Sequence, residues 1–155
     1  MTKSIWAALA LAAAALGPVA CSDSEPVVDA NPDAPEGIAV TGGRLMLPAV
    51  AGNPAAAYFD IANSGTRDMM IRAASVQGAG SAMMHVTEET GMQEILQIMV
   101  KAGETVKFEP GGTHVMAMDL ADTVVAGGKT EVTVTFVGGD KASFPADVRA
   151  AGEER

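Results

Sequence analysis

The chain has a single cysteine, Cys21, in 155 residues. One thiol cannot build a disulfide framework or a cysteine-based zinc cluster, so neither holds this fold together. Aromatic residues are almost as scarce: one tryptophan, one tyrosine and four phenylalanines. Basic residues are few, 10 against 19 acidic ones, with a formal net charge of −9. That balance excludes nucleic-acid binding, which needs a basic footprint, and otherwise favours solubility. The longest apolar run, Ile5 to Leu16, has 12 residues. It is shorter than the roughly 20 a membrane-spanning helix requires.

That short run sits behind Lys3 and ahead of Gly17-Pro18, the layout of a secretory signal peptide. Residues 1–20 are therefore expected to be a targeting device and not part of the fold. Cys21, preceded by Val19-Ala20 and followed by Ser22-Asp23-Ser24, resembles the cysteine of a bacterial lipobox, although Pro18 stands where such motifs usually carry leucine. The resemblance implies a lipidated first residue of the mature chain; cleavage near Ala20 by an ordinary signal peptidase is the other reading. Either way the protein is expected outside the cytoplasm, in the periplasm, as a membrane-anchored lipoprotein where Cys21 is lipidated. The acidic, proline-bearing stretch that follows makes residues 21–35 an anchor site and flexible linker. Residues 36–148 are long enough for one domain, and 149–155 form a polar tail.

Within the domain the hydrophobic period is two. Runs such as "GIAVTGGRLMLPAV", "AAAYFDIANSG", "SAMMHVTEETG" and "TEVTVTFVGG" are separated by Gly, Pro and Asn. Nine such segments at spacings near ten residues predict an all-β sandwich or barrel of about nine short strands. Asn53-Pro54 before Ala55–Ala57 would suit a helix start, but three alanines are too few for a useful helix.

What the sequence has in abundance is methionine. Nine of ten lie beyond the leader, where only five aromatics remain. Methionine is normally a sparing gap-filler in cores. Both histidines of the chain lie beside methionines, in Met83-Met84-His85 and His114-Val115-Met116-Ala117-Met118. Alternation on a strand puts His114, Met116 and Met118 on one face, and His85 with Met83 on one face. Met84, on the opposite face from His85, is expected in the core, as are Met46, Met69 or Met70, and Met99.

Written as spacings, six residues separate His85 from Met92, twenty-one separate Met92 from His114, and one separates His114 from Met116. This resembles the periplasmic copper chaperones of the PCu(A)C type, whose motif is a histidine, a methionine about eleven residues on, then twenty-one residues before His-x-Met. The first interval is shorter here by four residues, within the expected hairpin "VTEETG". The likeness extends to "LPAVAGNPAAAYFDIANSG" and "AGETVKFEPGGTHVMAMDL", and covers roughly Ala39 to Phe136. Arg44 departs from it, standing where many members have tryptophan, a change expected to affect packing more than copper. The resemblance implies a cupredoxin-like or immunoglobulin-like form of this β-sandwich or barrel, and a Cu(I) site at the exposed rim, formed by His85, Met92, His114 and Met116, with Met83 and Met118 as reserve ligands or a methionine guard. It also implies delivery of copper to the apo copper domain of cytochrome c oxidase or to its thiol chaperone.

The chemistry of these residues points the same way. Thioether sulfur is a soft, neutral ligand that favours Cu(I), and imidazole also suits copper. In an oxidising compartment thiolates are lost to disulfides, whereas methionine binds without deprotonation. A blue-copper electron carrier needs a cysteine beside its histidines, and no Ser-His-Asp or thiol catalytic set is present, so no enzyme is expected. Two other readings stay open: a copper storage or detoxification protein, and a metal-free acidic β-sandwich lipoprotein acting as an envelope interaction module.

Overall fold

The two-residue rhythm of the sequence becomes a burial rhythm in the computed structural model, which describes residues 31–153. The expected leader and Cys21 lie outside the described residues. Ten strands form, and no helix among the described residues: β1 (Ile38–Met46), β2 (Ala55–Asn63), β3 (Met69–Val76), β4 (Ala79–Glu88), β5 (Gly91–Glu94), β6 (Ile98–Val100), β7 (Thr105–Phe108), β8 (Thr113–Leu120), β9 (Lys129–Phe136) and β10 (Lys141–Arg149). Along β2, β9 and β10 every second side chain is buried. Alanines 55 to 57 begin β2 and no helix.

The strands form one hydrogen-bonded sheet in the order β5-β4-β8-β7-β2-β1-β10-β9-β3-β6, with β8 also paired to β2. β5 and β6 are its two edges, yet only Ile95, Leu96 and Gln97 separate them. Three residues bridge at most roughly 14 Å between their flanking Cα atoms. The sheet must therefore curl until its edges nearly meet, which encloses a single core. This crossing explains the tenth strand. The segment "MQEILQIMV" reads from the sequence as one strand, but Ile95 N–H still donates to the Met84 carbonyl of β4 (2.8 Å) while Ile98 already pairs with Ile71 of β3.

Phe59 anchors the core, stacked on Phe108 at 4.1 Å between centroids and tilted against Phe144 at 4.8 Å. Leu45, Ile61, Ile71, Val100, Val115, Val132, Val134 and Phe136 fill the space around it. Met84 joins them at 4% exposure. Two methionines differ from expectation. Met99 is 42% exposed, because it alternates with the buried Val100 on an edge strand. Met46 is buried but outside the core cluster, since Leu45 beside it already occupies the inner face.

β1 carries a bulge. Thr41 pairs with Asp60 and Arg44 with Tyr58, so three steps on β1 match two on β2. Gly43 permits it: a Cβ there would lie 2.5 Å from the Pro145 carbonyl oxygen. The extra residue rephases the strand and sends Arg44 to the outer face while Leu45 turns inward.

Asn31 to Pro35, read from composition as the end of a linker, are fastened to the domain. Asn31 accepts a hydrogen bond from Val40 N–H (2.7 Å) and donates to the Ser143 carbonyl (3.3 Å). Asp33 accepts from the Ser143 amide (3.0 Å) and hydroxyl (2.8 Å). These bonds, the amide first, hold the Asp33 carboxyl below its ordinary value. Because the folded value is lowered, the stabilisation is present above the unfolded value and lost as pH falls through the folded one. Hydrogen exchange should therefore show protection of the Ser143 amide, relative to core amides such as Val134, falling below about pH 4. Asp33→Asn should abolish that pH dependence.

Candidate metal centre

β4 and β8 run antiparallel, and their register brings the two histidine-bearing segments together. His85 lies opposite His114, Met83 opposite Met116 and Ser81 opposite Met118. Met84 and Val115, opposite one another and buried, point into the core, so the residues flanking them point outward. On the far side of β8, Ala56 of β2 lies opposite Met116, and Met46 of β1 opposite Ala56. None of Met46, Met83, Met116 or Met118 belongs to the core cluster. The outer face of this half of the sheet, where polar residues would normally stand, is thus furnished with thioethers and imidazoles.

A second row crosses the same face. The Arg44 guanidinium carbon lies 5.1 Å from the centroid of the Tyr58 ring. The Tyr58 ring is 6.3 Å from that of His114, and His114 is 6.1 Å from His85 with 22° between the planes. Sequence reasoning did not find Tyr58 as a neighbour of the histidines. Its outward position was readable from strand alternation, but its strand partner was not. Nor did it anticipate that the departure at Arg44 falls in the same row as both histidines.

The hydrogen bonds of this row are informative about which ring nitrogens are free. His114 Nδ1 is 3.0 Å from the Gly112 carbonyl oxygen. A carbonyl only accepts, so Nδ1 carries the proton and the neutral ring keeps its lone pair on Nε2. This carbonyl is the kind of support that orients a metal-binding histidine. Among the described residues, two buried side-chain polar atoms lack a hydrogen-bond partner, His85 Nδ1 and Arg44 Nε. Both belong to this row. Unsatisfied buried nitrogens are uncommon, and a ring nitrogen not engaged by the protein remains available as a donor. No group of three or more His, Cys, Asp or Glu among the described residues could hold an ion. The sulfur-bearing side chains that neighbour the two imidazoles on this face are thioethers.

Of the four residues singled out by spacing, the ladder brings three together: His85, His114 and Met116. His114 is 5% exposed, held between neighbours and not at an open rim. Met92 stands apart. The hairpin turns at Glu89-Thr90, and Met92 pairs with Thr87, two residues beyond His85 on the side away from Met83. It is 52% exposed. Counting two strand spacings across and four residues along, Met92 and Met116 have Cα atoms roughly 16 Å apart.

A family described as LpqE-like lipoproteins matches residues 38–148. The chain belongs to the LpqE-like family. A Leifsonia xyli subsp. xyli relative of this LpqE-like chain, Lxx21020, is 28% identical over 157 residues, covering 96% of this chain and 93% of its own. Among solved structures, the apo PCuAC domain from PmoF1 superposes with a TM-score of 0.66 at 23% identity, over 77% of this chain and 98% of that one. The copper-bound PCuAC domain from PmoF2 gives 0.64 at 22% identity, over 74% and 93%. Cu(I)-DR1885 from Deinococcus radiodurans gives 0.60 at 24% identity, over 74% and 79%. The LpqE-like chain therefore has the cupredoxin-like β fold of PCuAC domains, as its sequence resemblance implied.

The tautomer assignment can be checked directly. In long-range proton–nitrogen correlation spectra of the metal-free protein above the histidine titration range, His114 should give a protonated Nδ1 and an unprotonated Nε2. The opposite tautomer would mean that the Gly112 carbonyl does not orient the ring.

Proposed function

We propose that this protein is an extracytoplasmic Cu(I)-binding metallochaperone that carries copper toward cytochrome c oxidase assembly. One observation carries the reading: a directly opposed histidine pair stands beside directly opposed methionines on the outward face of a sheet whose other face is the core. Core packing does not account for thioethers there, and hydration does not favour them. Soft neutral donors with imidazole suit Cu(I) in a compartment that oxidises thiols. The copper-bound state of similarly folded PCuAC domains supports the same reading. On it, His85, His114 and Met116 hold the ion, and Met92, the remaining residue of the family spacing, stands apart from them on the exposed hairpin. The ligands are neutral, so bound Cu(I) keeps its single positive charge and a modest hold, which suits transfer. The lipoprotein names of the family and of its Leifsonia relative support an exported chain anchored through Cys21.

His114→Asn keeps a donor for the Gly112 carbonyl but removes the Nε2 ligand. In competition titrations it should weaken Cu(I) binding by more than the roughly 10–100-fold that loss of a supporting group costs. Unchanged affinity would overturn the copper reading. Met84→Ala should do the reverse, lowering stability by about 2–5 kcal/mol in denaturant unfolding with little effect on copper. Delivery is tested by mixing the Cu(I)-loaded protein with the apo, reduced copper domain of an oxidase and following copper on both. Retention by the donor would favour storage over delivery.

A further inference from the structure

We propose that Met83 is the fourth copper ligand, in the role that the family spacing assigns to Met92; the proposal rests on the Cu(I) reading of this face. The sequence Met83-Met84-His85 on β4 lies antiparallel to His114-Val115-Met116 on β8. Antiparallel pairing sets Met-x-His against His-x-Met read backwards, so histidine meets histidine and methionine meets methionine on adjacent rungs. Directly opposed Cβ atoms are about 5 Å apart, and residues two apart on a strand about 7 Å. The four side chains therefore leave the sheet from the corners of one small rectangle, all on one face. Two corners are stiff imidazoles and two are thioether arms with three rotatable bonds, which can close over an ion between them.

Met92 leaves the sheet from outside this rectangle. It is one strand beyond β4 and one rung beyond His85, on the side opposite Met83 and Met116. The separation from Met116, roughly 16 Å between Cα atoms, is longer than two methionine side chains can close onto one ion. Nor can β5 slide to repair it. The turn has only Glu89 and Thr90 to spare, and pairing runs without interruption from Glu88↔Gly91 to His85↔Glu94. A one-residue slip would send Met92 to the other face. Met83, two residues before His85 and directly opposite Met116, lies where its thioether completes the set. Met83 is half-buried and outside the core cluster, so packing does not already occupy it.

The test uses the full-length protein with methionine methyl groups labelled with carbon-13. On titration with Cu(I) the methyl resonances of Met83 and Met116 should shift together and that of Met92 should not. Met83→Leu, a nearly volume-conserving change, should weaken Cu(I) binding about tenfold or more in competition titrations. It should also remove one sulfur from the copper X-ray absorption fit while thermal unfolding is unchanged. Met92→Leu should leave affinity within about twofold. If Met83→Leu binds as the parent does while Met92→Leu binds weakly, or if both weaken binding and both methyl groups shift, the assignment of Met83 in place of Met92 is overturned with the copper reading intact. If His114→Asn also binds as the parent does, it is the copper reading that fails.

Discussion

The antiparallel register of β4 on β8 is the constraint from which the outer face follows. It is held from beneath, because Met84 and Val115 are opposed and buried. Burying each such side chain contributes about 1.5–3 kcal/mol. A slip of β4 by one residue would turn Met84 out to water and His85 into the core, away from His114. The energy that packs the core is therefore the same energy that fixes which donors face one another. On the copper reading, this coupling also explains how a site can stand on the outer face of a sheet: the ladder provides the preorganisation.

Period-two patterning made most of the strands legible, because residues such as those of β2, β9 and β10 alternate without exception between core and surface. It failed where the path of the chain is decided by partners and not by pattern. Nothing local in "EILQIMV" says that pairing passes from β4 to β3 within three residues, so one segment became two strands and Met99 turned outward. Asn31 and Asp33 look like linker composition, but their side chains cap backbone groups of Val40 and Ser143, which no local rule reveals. At the candidate site, alternation gave the faces of His85, Met83, His114 and Met116. It could not give the rungs. Spacing to His114 singled out Met92, whereas the hairpin length decides where Met92 stands.

The two unsatisfied buried nitrogens, Arg44 Nε and His85 Nδ1, bracket Tyr58 and His114 in one row. Local costs of this kind gather where a fold serves something other than its own stability. Arg44 reaches the row through the β1 bulge, which Gly43 permits, and its stacking on Tyr58 is a cation–π contact. The arginine in place of the family tryptophan is thus a charge beside the histidine row as well as a change of packing. Asp147, opposite it in register, is drawn to Lys129 at 2.6 Å, and the carboxyl is held low by that bond.

A protein that gives its metal away needs donors held firmly enough to find the ion and loosely enough to lose it. On the copper reading the outer face divides those tasks between side-chain types. Of the imidazoles, His114 is fixed by the Gly112 carbonyl and by close burial. The thioethers are mobile arms outside the core, able to let go one at a time without disturbing the strands beneath. An acceptor thiolate approaching from solvent then has only to replace neutral sulfur on an outward-facing rung, and no core contact must break for the ion to leave. Burying the same four donors inside the sheet would gain affinity from the lower dielectric. It would also require the sheet to open at each transfer, against the apolar burial that sets its register.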